Sequence, residues 1–538
     1  MSHGLRAAVP AHYAPRRMDA ARVPRPGLTL VAMCIAQGMI LLDVTIVNVA
    51  LPAIQRDLHV STGNLEWVIS AYTLSLATLI LVGGALGDRY GRKRVFLLGL
   101  VVFTTCSALC ALARTDPQLI VARALQGVGG ALMAALTLSI LVDALPPERR
   151  TSAIGTWAAV AGLGFGIGPI LGGILLSAFS WSAVFWVNVP IGVAGVVLAA
   201  VGVRESQDPG ARALDPIGAL LVASGLFLLT FALIETNRTP WGSPRVVASL
   251  AAAVLLLAAF VAWERRVDTP TVPLGLLRAR RFASANAVFF LVYLSLTGMF
   301  FYVTLYFQNL KGWSALRTGL SWIPLNAPFL AVSVNAGRLG ARFGARAVVT
   351  AGAVLAAAGM LGLASLHVES SYSMAWPGYV LIGLGYGLLV PAVASAAMAD
   401  VPQGSAGVGS GILNSARQVG SSVGLAVLGS LGVSAVARSW REAVFALPDP
   451  VQLRAASLTE LVAGGQGELV AAAVGPQAAP PAFAAFVSGY RAALCAAGLS
   501  LLAAALIASV GLRPAAARSL GASPGLANPP PTHPSETT

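Results

Sequence analysis

The chain has 538 residues, of which 57% are hydrophobic and only 10% are charged. A soluble protein of this size carries about 25% charged residues, so the composition excludes an ordinary soluble enzyme and indicates an integral membrane protein. The net charge of +14 does not indicate nucleic-acid binding, because the Lys and Arg residues lie in short gaps between apolar runs and form no dense basic patch with interleaved aromatic residues.

The apolar runs predict an all-α polytopic membrane protein with fourteen transmembrane helices, since a bilayer core of about 30 Å requires about 20 apolar residues per helix. The predicted spans are 28–50, 64–86, 95–113, 117–142, 152–177, 184–203, 216–236, 246–263, 283–309, 318–337, 346–366, 375–398, 408–436 and 489–512. Most Lys and Arg residues outside the predicted spans fall in the segments on one side of the membrane. The positive-inside rule therefore predicts a protein of the cytoplasmic membrane with both termini cytoplasmic.

The spans divide the chain into five parts. These are a cytoplasmic basic tail (1–27), an N-terminal six-helix bundle (28–204), two inserted helices with their linkers (205–281), a C-terminal six-helix bundle (282–512) and a disordered cytoplasmic tail rich in Pro and Ser (513–538). Within the second bundle, the extracytoplasmic loop 437–488 could form short amphipathic helices. No cleavage site follows the first apolar run, so it is predicted to remain as a spanning helix.

An internal repeat supports the division into two six-helix halves. The segment GALGDRYGRK recurs about 255 residues later as GRLGARFGAR, and QGVGGAL recurs as IGLGYGLL. Parallel six-helix repeats of this kind build transporters that rock around a site near the membrane midplane. Asp88 of the first half corresponds to Ala341 of the second, and Arg123 corresponds to Tyr379. Ion coupling is therefore predicted to lie in the N-terminal half.

A short basic hairpin joins the second and third predicted spans. Its glycines, its single acid and its bases stand between two long apolar runs, a pattern that predicts a tight turn at the cytoplasmic surface. The candidate gating residues of this hairpin are Gly84, Asp88, Arg89, Gly91 and Arg92.

Asp43 and Arg123 are charged residues within predicted spans. A carboxylate in the bilayer costs a few kcal/mol, so Asp43 requires a function or a structural partner. A buried carboxyl can bind and release a proton near neutral pH, which makes Asp43 the candidate proton site, and the alternative is a structural aspartate at a wet cavity or a helix end. Arg123 cannot titrate. It either tunes a nearby acid or forms a permanent ion pair, and Gln126 is its predicted polar neighbour.

The predicted fifth span carries a glycine stripe. Gly164, Gly168 and Gly172 recur every four residues, which lets another helix approach this face closely, and Pro169 favours a bend. The stripe is either a hinge for alternating access or a close-packing surface.

Polar residues also occur in the predicted ninth and thirteenth spans. Asn414 and Arg417 could line a cavity together with Gln126, and Arg417 requires a partner or water. The aromatic residues of the ninth span, Tyr293 among them, could line an apolar substrate cavity or face lipid.

The sequence offers nothing that supports an enzyme. No phosphate-binding GxxxxGK[ST] loop, HExxH, paired CxxC or GxSxG motif occurs in it, so neither a metal, a cofactor nor direct ATP hydrolysis is predicted. The four cysteines lie inside apolar runs and are predicted to be buried apolar residues without disulfides.

The motifs together resemble the major facilitator superfamily, in particular its fourteen-helix drug/proton antiporter branch. The segments that carry the resemblance are LDVTIVNVALP, GALGDRYGRKR, RALQGVGGA, GIGPILGG, NVPIG and LNSARQVG. They cover nearly the whole chain between its tails. One departure occurs before NVPIG, where relatives have an arginine after the tryptophan and this chain has Ser182.

This resemblance implies proton-driven export of lipophilic, often cationic, compounds. It also implies gating by Asp88, Arg89 and Arg92, coupling by Arg123, and a hinge at Gly168 and Pro169. The expected function is multidrug efflux by proton antiport, with small lipophilic substrates, protons and the lipid bilayer as partners and no nucleic acid. Two alternatives stay open, a dedicated exporter of one self-made metabolite such as an antibiotic or siderophore, and a membrane sensor or scaffold that transports nothing. An accessory protein at the outer face is a further open question.

Overall fold

The structure is a computed structural model that describes residues 26–58, 62–207, 215–236, 239–267, 274–399, 401–402, 405–445 and 457–512. Both predicted tails, apart from the last two residues of the first, lie outside these ranges. The helices are α1 (Pro26–Leu58), α2 (Thr62–Tyr90), α3 (Arg92–Ala111), α4 (Asp116–Ala144), α5 (Pro147–Ala178), α6 (Ala183–Trp186), α7 (Asn188–Gly202), α8 (Pro216–Glu235), α9 (Pro244–Glu264), α10 (Leu274–Arg278), α11 (Arg280–Leu305), α12 (Ala315–Leu320), α13 (Ile323–Ala364), α14 (Tyr372–Ala399), α15 (Ala406–Val444), α16 (457–463), α17 (Gly467–Val474) and α18 (Ala479–Gly511).

The predicted all-helical membrane fold is confirmed, because the described ranges contain no strand and include twelve helical segments long and apolar enough to cross a bilayer. The sequence predicts fourteen spans, and the two counts differ in two places. The segment Leu316–Ala364 counts once, although it covers two predicted spans. Helix α5 covers the predicted fifth span and is not among the twelve.

Two glycines break the helical path with an unusual backbone. Gly91 has φ 105° and ψ 124° and is the single residue between α2 and α3. Gly344 interrupts α13 with φ 80° and ψ 150°. A residue with a side chain pays roughly 1–2 kcal/mol for a left-handed backbone, so glycine makes these breaks possible without a longer loop. The two glycines occupy matching positions of the sequence repeat.

The helices form two packed groups that meet along a seam. In the first group α4 packs on α2 and α3, and α1 packs on α5 and α7. In the second group α13 packs on α14 and α18, and α11 packs on α15 and α18. The seam is formed mainly by α2 against α15 and by α5 against α13.

Helices α8 and α9 pack on each other at the side of this seam. Val222 and Leu226 of α8 and Phe260 of α9 form a buried cluster with Leu81 of α2 and Val408 of α15. The pair predicted as inserted helices therefore contacts both groups along its apolar face.

The predicted loop 437–488 is largely helical. Helix α15 continues to Val444 and α18 begins at Ala479, because their apolar faces extend past the predicted span ends and are covered by the short helices between them. Trp440, Val462, Val470 and Ala482 belong to the small buried cluster that holds this cap together. The predicted short helices are present, and the connecting loop is shorter than predicted.

Candidate functional site

Asp43 is completely buried in α1 and accepts hydrogen bonds at both carboxylate oxygens. Its Oδ2 accepts from Arg123 Nη1 at 2.5 Å. Its Oδ1 accepts from Gln126 Nε2 at 2.9 Å and from Asn188 Nδ2 at 3.1 Å. The two residues singled out in the sequence as charges within the membrane are thus a single ion pair, with Gln126 beside it as predicted.

Arg123 is held by α2 as well as by the acid. Its Nε donates to the carbonyl of Val68 at 3.0 Å, and Nη1 also donates to Gln126 Oε1 at 2.9 Å. The guanidinium carbon lies 4.3 Å from the centroid of the Tyr72 ring, a cation–π contact. One terminal nitrogen, Nη2, is buried and has no acceptor among the described residues. The guanidinium of Arg123, which is planar and permanently charged, therefore makes directed contacts on most of its sides.

Asn188 is a member of this cluster that the sequence analysis did not single out. It begins α7, is completely buried, and donates from Nδ2 to Ser107 Oγ at 3.2 Å as well as to Asp43. The motif NVPIG contains it, so the motif was the available signal. We refer to Asp43, Arg123, Gln126 and Asn188 as the acid cluster.

A buried ion pair of this kind is sensitive to any change in the charge of one partner. Desolvation of each ion costs several kcal/mol, and the pair is tolerated because the two charges and the surrounding hydrogen bonds compensate each other. Proton binding to Asp43 would leave the Arg123 charge buried without a counter-ion. The arrangement can therefore couple protonation to movement of α1 against α4.

A second polar cluster lies where α2 meets α15. Asp88 is 6% exposed and accepts from the backbone N–H of Gly407 and of Val408, each at 2.9 Å. These amides belong to the first turn of α15, where a carboxylate is favoured by free N–H groups and by the helix dipole. The predicted hairpin acid of one helix group thus caps a helix of the other group.

Arg92 completes this second cluster. Its Nε donates to Asp88 Oδ1 at 2.7 Å, and its Nη1 donates to Asp143 Oδ2 at 2.5 Å. Asp143, at the end of α4, had no functional role in the sequence analysis. The sequence offered two signals for a role of Asp143. It stands just beyond an apolar span, and its charge is opposite to that of the basic hairpin. We call Asp88, Arg92, Asp143 and the first turn of α15 the hairpin cluster.

The remaining hairpin residues have distinct surroundings. A Cβ added to Gly84 would lie 2.5 Å from the carbonyl oxygen of Gly407, so the two backbones are in close contact. A Cβ on Gly91 would lie 2.6 Å from Glu205 Oε1, in addition to the positive φ. Arg89 is half-buried, and its guanidinium lies over the Tyr90 ring at 5.5 Å. Gly84 therefore contributes to the seam directly, and Gly91 shapes the turn.

The glycine stripe of α5 faces α1. A Cβ on Gly164 would lie 2.8 Å from the carbonyl oxygen of Gly38, and one on Gly172 would lie 3.1 Å from Ile46 Cγ1. A Cβ on Gly168 would overlap Thr45 Oγ1, two residues from Asp43. Pro169 lies within the continuous helix α5, and its side chain is outside the described part. The stripe thus brings α5 against the segment of α1 that carries the acid.

Asn414 and Arg417 lie on α15 in the seam. Asn414 Nδ2 donates to the carbonyl of Ala134 in α4 at 3.0 Å, which links the two helix groups. Arg417 is 4% exposed, and its guanidinium lies 5.6 Å from the centroid of the Tyr293 ring. Neither residue is hydrogen-bonded to the acid cluster within the described chain, whereas Gln126 belongs to that cluster. A polar cavity lining shared by Gln126, Asn414 and Arg417 stays a prediction.

The acid cluster and the hairpin cluster lie at different depths. Both include a residue of α4, Arg123 and Asp143, and a rise of 1.5 Å per residue separates them by about 30 Å along that helix. This distance equals the thickness of a bilayer core. The hairpin cluster closes the seam at one end, and the acid cluster lies toward the other.

The described part of the chain contains no group of three or more His, Cys, Asp or Glu residues that could hold a metal ion. Its four cysteines are free thiols, three of them buried and Cys495 partly buried.

Fold and site together define a multi-pass helical membrane protein with a buried acid–arginine pair on one side of a two-part seam. Residues 33–425 match the sequence profile of the Major Facilitator Superfamily, and the chain belongs to this family of membrane transporters.

Two curated relatives and one solved structure illustrate the relationship. The chain is 36% identical over 413 residues to the tetracenomycin C resistance and export protein of Streptomyces glaucescens, with 77% of each chain covered. It is 37% identical over 432 residues to the multidrug resistance protein Stp of Mycobacterium tuberculosis, with 79% of each covered. The crystal structure of the human organic anion transporter MFSD10 matches with a TM-score of 0.60 and 15% identity, over 90% of this chain and 100% of that one. At this identity the structural match shows the fold alone.

Proposed function

We propose that the protein exports hydrophobic small molecules, cationic ones among them, across the cytoplasmic membrane in exchange for protons. The observation that carries the proton-coupled part is the completely buried Asp43–Arg123 pair in a transporter fold. The similarity to a multidrug resistance protein and to a tetracenomycin C resistance and export protein supports drug efflux as the activity.

Asp43 would bind the coupling proton. Its carboxylate accepts hydrogen bonds from one cationic and two neutral donors, so protonation weakens contacts that join α1 to α4 and α7. Protonation removes the counter-ion of Arg123, which then favours a conformation that gives the guanidinium water or another acceptor. A ligand that binds one conformation and a proton that binds the other would then be exchanged across the membrane.

The hairpin cluster would serve as the cytoplasmic gate. Asp88 holds the first turn of α15, and the contacts must separate before a substrate can enter the seam from that side. The glycine stripe of α5 would let α1 move during this change, because no side chain of Gly164, Gly168 or Gly172 stands between the two helices. In this proposal Gly164, Gly168, Pro169 and Gly172 form the hinge.

We also propose fourteen membrane crossings with both termini in the cytoplasm. Two features support two crossings in addition to the twelve segments. Helix α5 is 32 residues long, and the 42-residue α13 is broken at Gly344. The shared backbone of Gly91 and Gly344 supports two repeated six-helix halves with α8 and α9 inserted between them. The basic residues around Gly91 support a cytoplasmic position for that hairpin.

A second candidate is a dedicated exporter of one self-made metabolite. The description of the tetracenomycin C relative, which names a single compound for resistance and export, favours it. The two candidates share the same transport cycle and differ in the range of compounds accepted.

The test uses inverted membrane vesicles with an acidic interior. A panel of chemically unrelated lipophilic compounds is added, and collapse of the pH gradient is followed for the parent protein and for Asp43→Asn. Glu235→Gln is the matched control, because Glu235 is also a buried acid but lies at the end of α8, where it pairs with the exposed Arg245. Proton efflux evoked by several compounds and lost only in Asp43→Asn supports multidrug antiport. A response to a single compound supports the dedicated exporter, and an unchanged response in Asp43→Asn refutes Asp43 as the proton site.

A further inference from the structure

Arg417 differs from the other buried arginines in its partners. The described chain has three arginines that are buried, Arg92, Arg123 and Arg417. Arg92 is paired with two carboxylates and Arg123 with one. The described part of the chain offers Arg417 no carboxylate, and its Nε has no acceptor. A buried cation without a counter-ion is costly unless a ligand or water compensates its charge.

The face of α15 that carries Arg417 also carries other buried polar groups. Ser410, Asn414 and Arg417 recur at helical spacing on α15, and Asn414 fixes this face toward α4 of the other helix group. Among the described residues, Ser410 Oγ, Asn414 Oδ1 and Tyr72 Oη are buried and have no hydrogen-bond partner. Tyr72 lies on α2, across the seam from α15.

The depth of Arg417 agrees with a ligand site. Arg417 follows the start of α15 by about 16 Å, given the rise of 1.5 Å per residue. This is close to half of a bilayer core of about 30 Å, which puts the guanidinium near the midplane between the two helix groups. Transporters built from two halves bind their substrates at this depth.

We propose that this site binds aromatic organic anions, with the anionic group paired to Arg417 and the aromatic ring against Tyr293. A guanidinium binds a carboxylate, phenolate or enolate through directed, charge-assisted hydrogen bonds, and the free Nε is one donor for them. Tyr293 already contacts the guanidinium and packs edge-on against Phe289 at 5.1 Å, which forms an aromatic wall beside the charge. This inference rests on the proposed export function and names the substrate class that it favours.

The inference changes the expected charge balance of transport. With one proton entering per substrate, export of a monovalent anion moves two positive charges inward, export of a neutral compound moves one, and export of a monovalent cation moves none. A membrane potential that is negative inside therefore drives anion export most strongly.

The test compares three probes of the same ring system, 2-naphthoate, 2-naphthamide and 2-naphthylmethylammonium. Binding to the full chain in lipid nanodiscs is measured by calorimetry for the parent, Arg417→Gln, Arg417→Lys and the control Arg441→Gln. Arg441 lies on the same helix but is exposed. The expected result is a preference of tenfold or more for 2-naphthoate, which is lost in Arg417→Gln, partly kept in Arg417→Lys and unchanged in Arg441→Gln.

Thermal unfolding of the same variants distinguishes a ligand site from a structural arginine. Removal of an uncompensated cation is expected to leave the unligated protein as stable as the parent or more stable. A parent that binds the amide or the ammonium compound as tightly as 2-naphthoate overturns the inference. Equal loss of all three probes in Arg417→Gln, together with a lower unfolding temperature, also overturns it.

The same vesicle assay separates this inference from the proposed function. Proton efflux that depends on Asp43 but responds to the ammonium compound and not to 2-naphthoate leaves proton antiport standing and overturns the anion site. Binding of 2-naphthoate that depends on Arg417, without any proton flux, leaves the anion site standing and overturns proton antiport.

Discussion

Arg123 donates through the same terminal nitrogen to Asp43 Oδ2 and to Gln126 Oε1, while Gln126 donates to the other oxygen of Asp43. The three side chains therefore form a closed ring of hydrogen bonds between α1 and α4. A proton on Asp43 weakens two sides of this ring at once, since it removes the charge that both Arg123 and Gln126 recognise. The energetics of this ring can be measured directly.

Asp43→Asn is expected to destabilise the folded protein by about 3–5 kcal/mol, because it leaves Arg123 buried without a counter-ion. The double variant Asp43→Asn with Arg123→Gln is expected to recover most of this loss. Thermal unfolding in detergent micelles measures both effects, with tryptophan fluorescence as the signal.

Glu235→Gln is the control for this comparison, since its partner Arg245 has a side chain that is 70% exposed and a pair of this type contributes about 1 kcal/mol or less. A double variant that is no more stable than Asp43→Asn alone would show that the pair is not the source of the loss.

Asp88→Asn is expected to loosen the hairpin end of the seam. The amide keeps one oxygen but loses the negative charge at the first turn of α15, a change of about 0.5–2 kcal/mol. Arg92 keeps Asp143 as its partner, so the fold is expected to survive. In a cysteine-free background, Ser410→Cys is the reporter, because Ser410 is fully buried near this end. Its labelling by a maleimide is expected to accelerate about fivefold.

Arg94→Gln is the control for the hairpin experiment, since the Arg94 side chain is 78% exposed and lies on the same hairpin. Equal labelling rates in Asp88→Asn and in the parent would contradict a gating role for Asp88.

Gly168→Ala is expected to impair transport and to lower stability by about 1–3 kcal/mol. The added methyl group overlaps Thr45 Oγ1 and forces α5 away from α1 next to Asp43. Gly173→Ala is the matched control five residues further along α5, where an added Cβ has no atom within 4 Å. Proton-linked efflux and thermal unfolding are measured for both. Similar behaviour of the two variants would indicate that close contact between α1 and α5 is not required.

Gly344→Ala is expected to lower stability by about 1–2 kcal/mol, because its φ of 80° is unfavourable for a side chain although the space around it is open. Gly340→Ala, four residues earlier in the same helix, has equal space and a helical backbone, and is expected to be neutral or slightly stabilising. Unfolding temperatures of the two variants give the comparison. If they are equal, the backbone at Gly344 is not a fixed feature of the fold.

The linear sequence was sufficient for the helical membrane fold and for the residues most in need of an explanation. These features depend on local composition, since each span requires only about 20 consecutive apolar residues, and an ion within such a run is conspicuous at once. Gly91 could be recognised in the same way, because a tight turn between two helices requires a residue that tolerates positive φ. The segments by which α15 and α18 extend beyond their predicted spans could not be recognised from the sequence, since the cap of short helices covers their apolar faces.

Tertiary structure alone decided which of the polar residues are partners. Asp43 meets Arg123 across 80 residues of chain and Asn188 across 145, and Asp88 meets Gly407 across 319. Such contacts depend on how helices pack, which hydropathy and motif spacing do not specify. Within the part of the chain that the structure describes, the same packing places no acid in contact with Arg417. The sequence therefore determined that buried charges exist in this protein, and the packing determined which of them are neutralised, because charge balance in a low-dielectric interior is a property of neighbours in space.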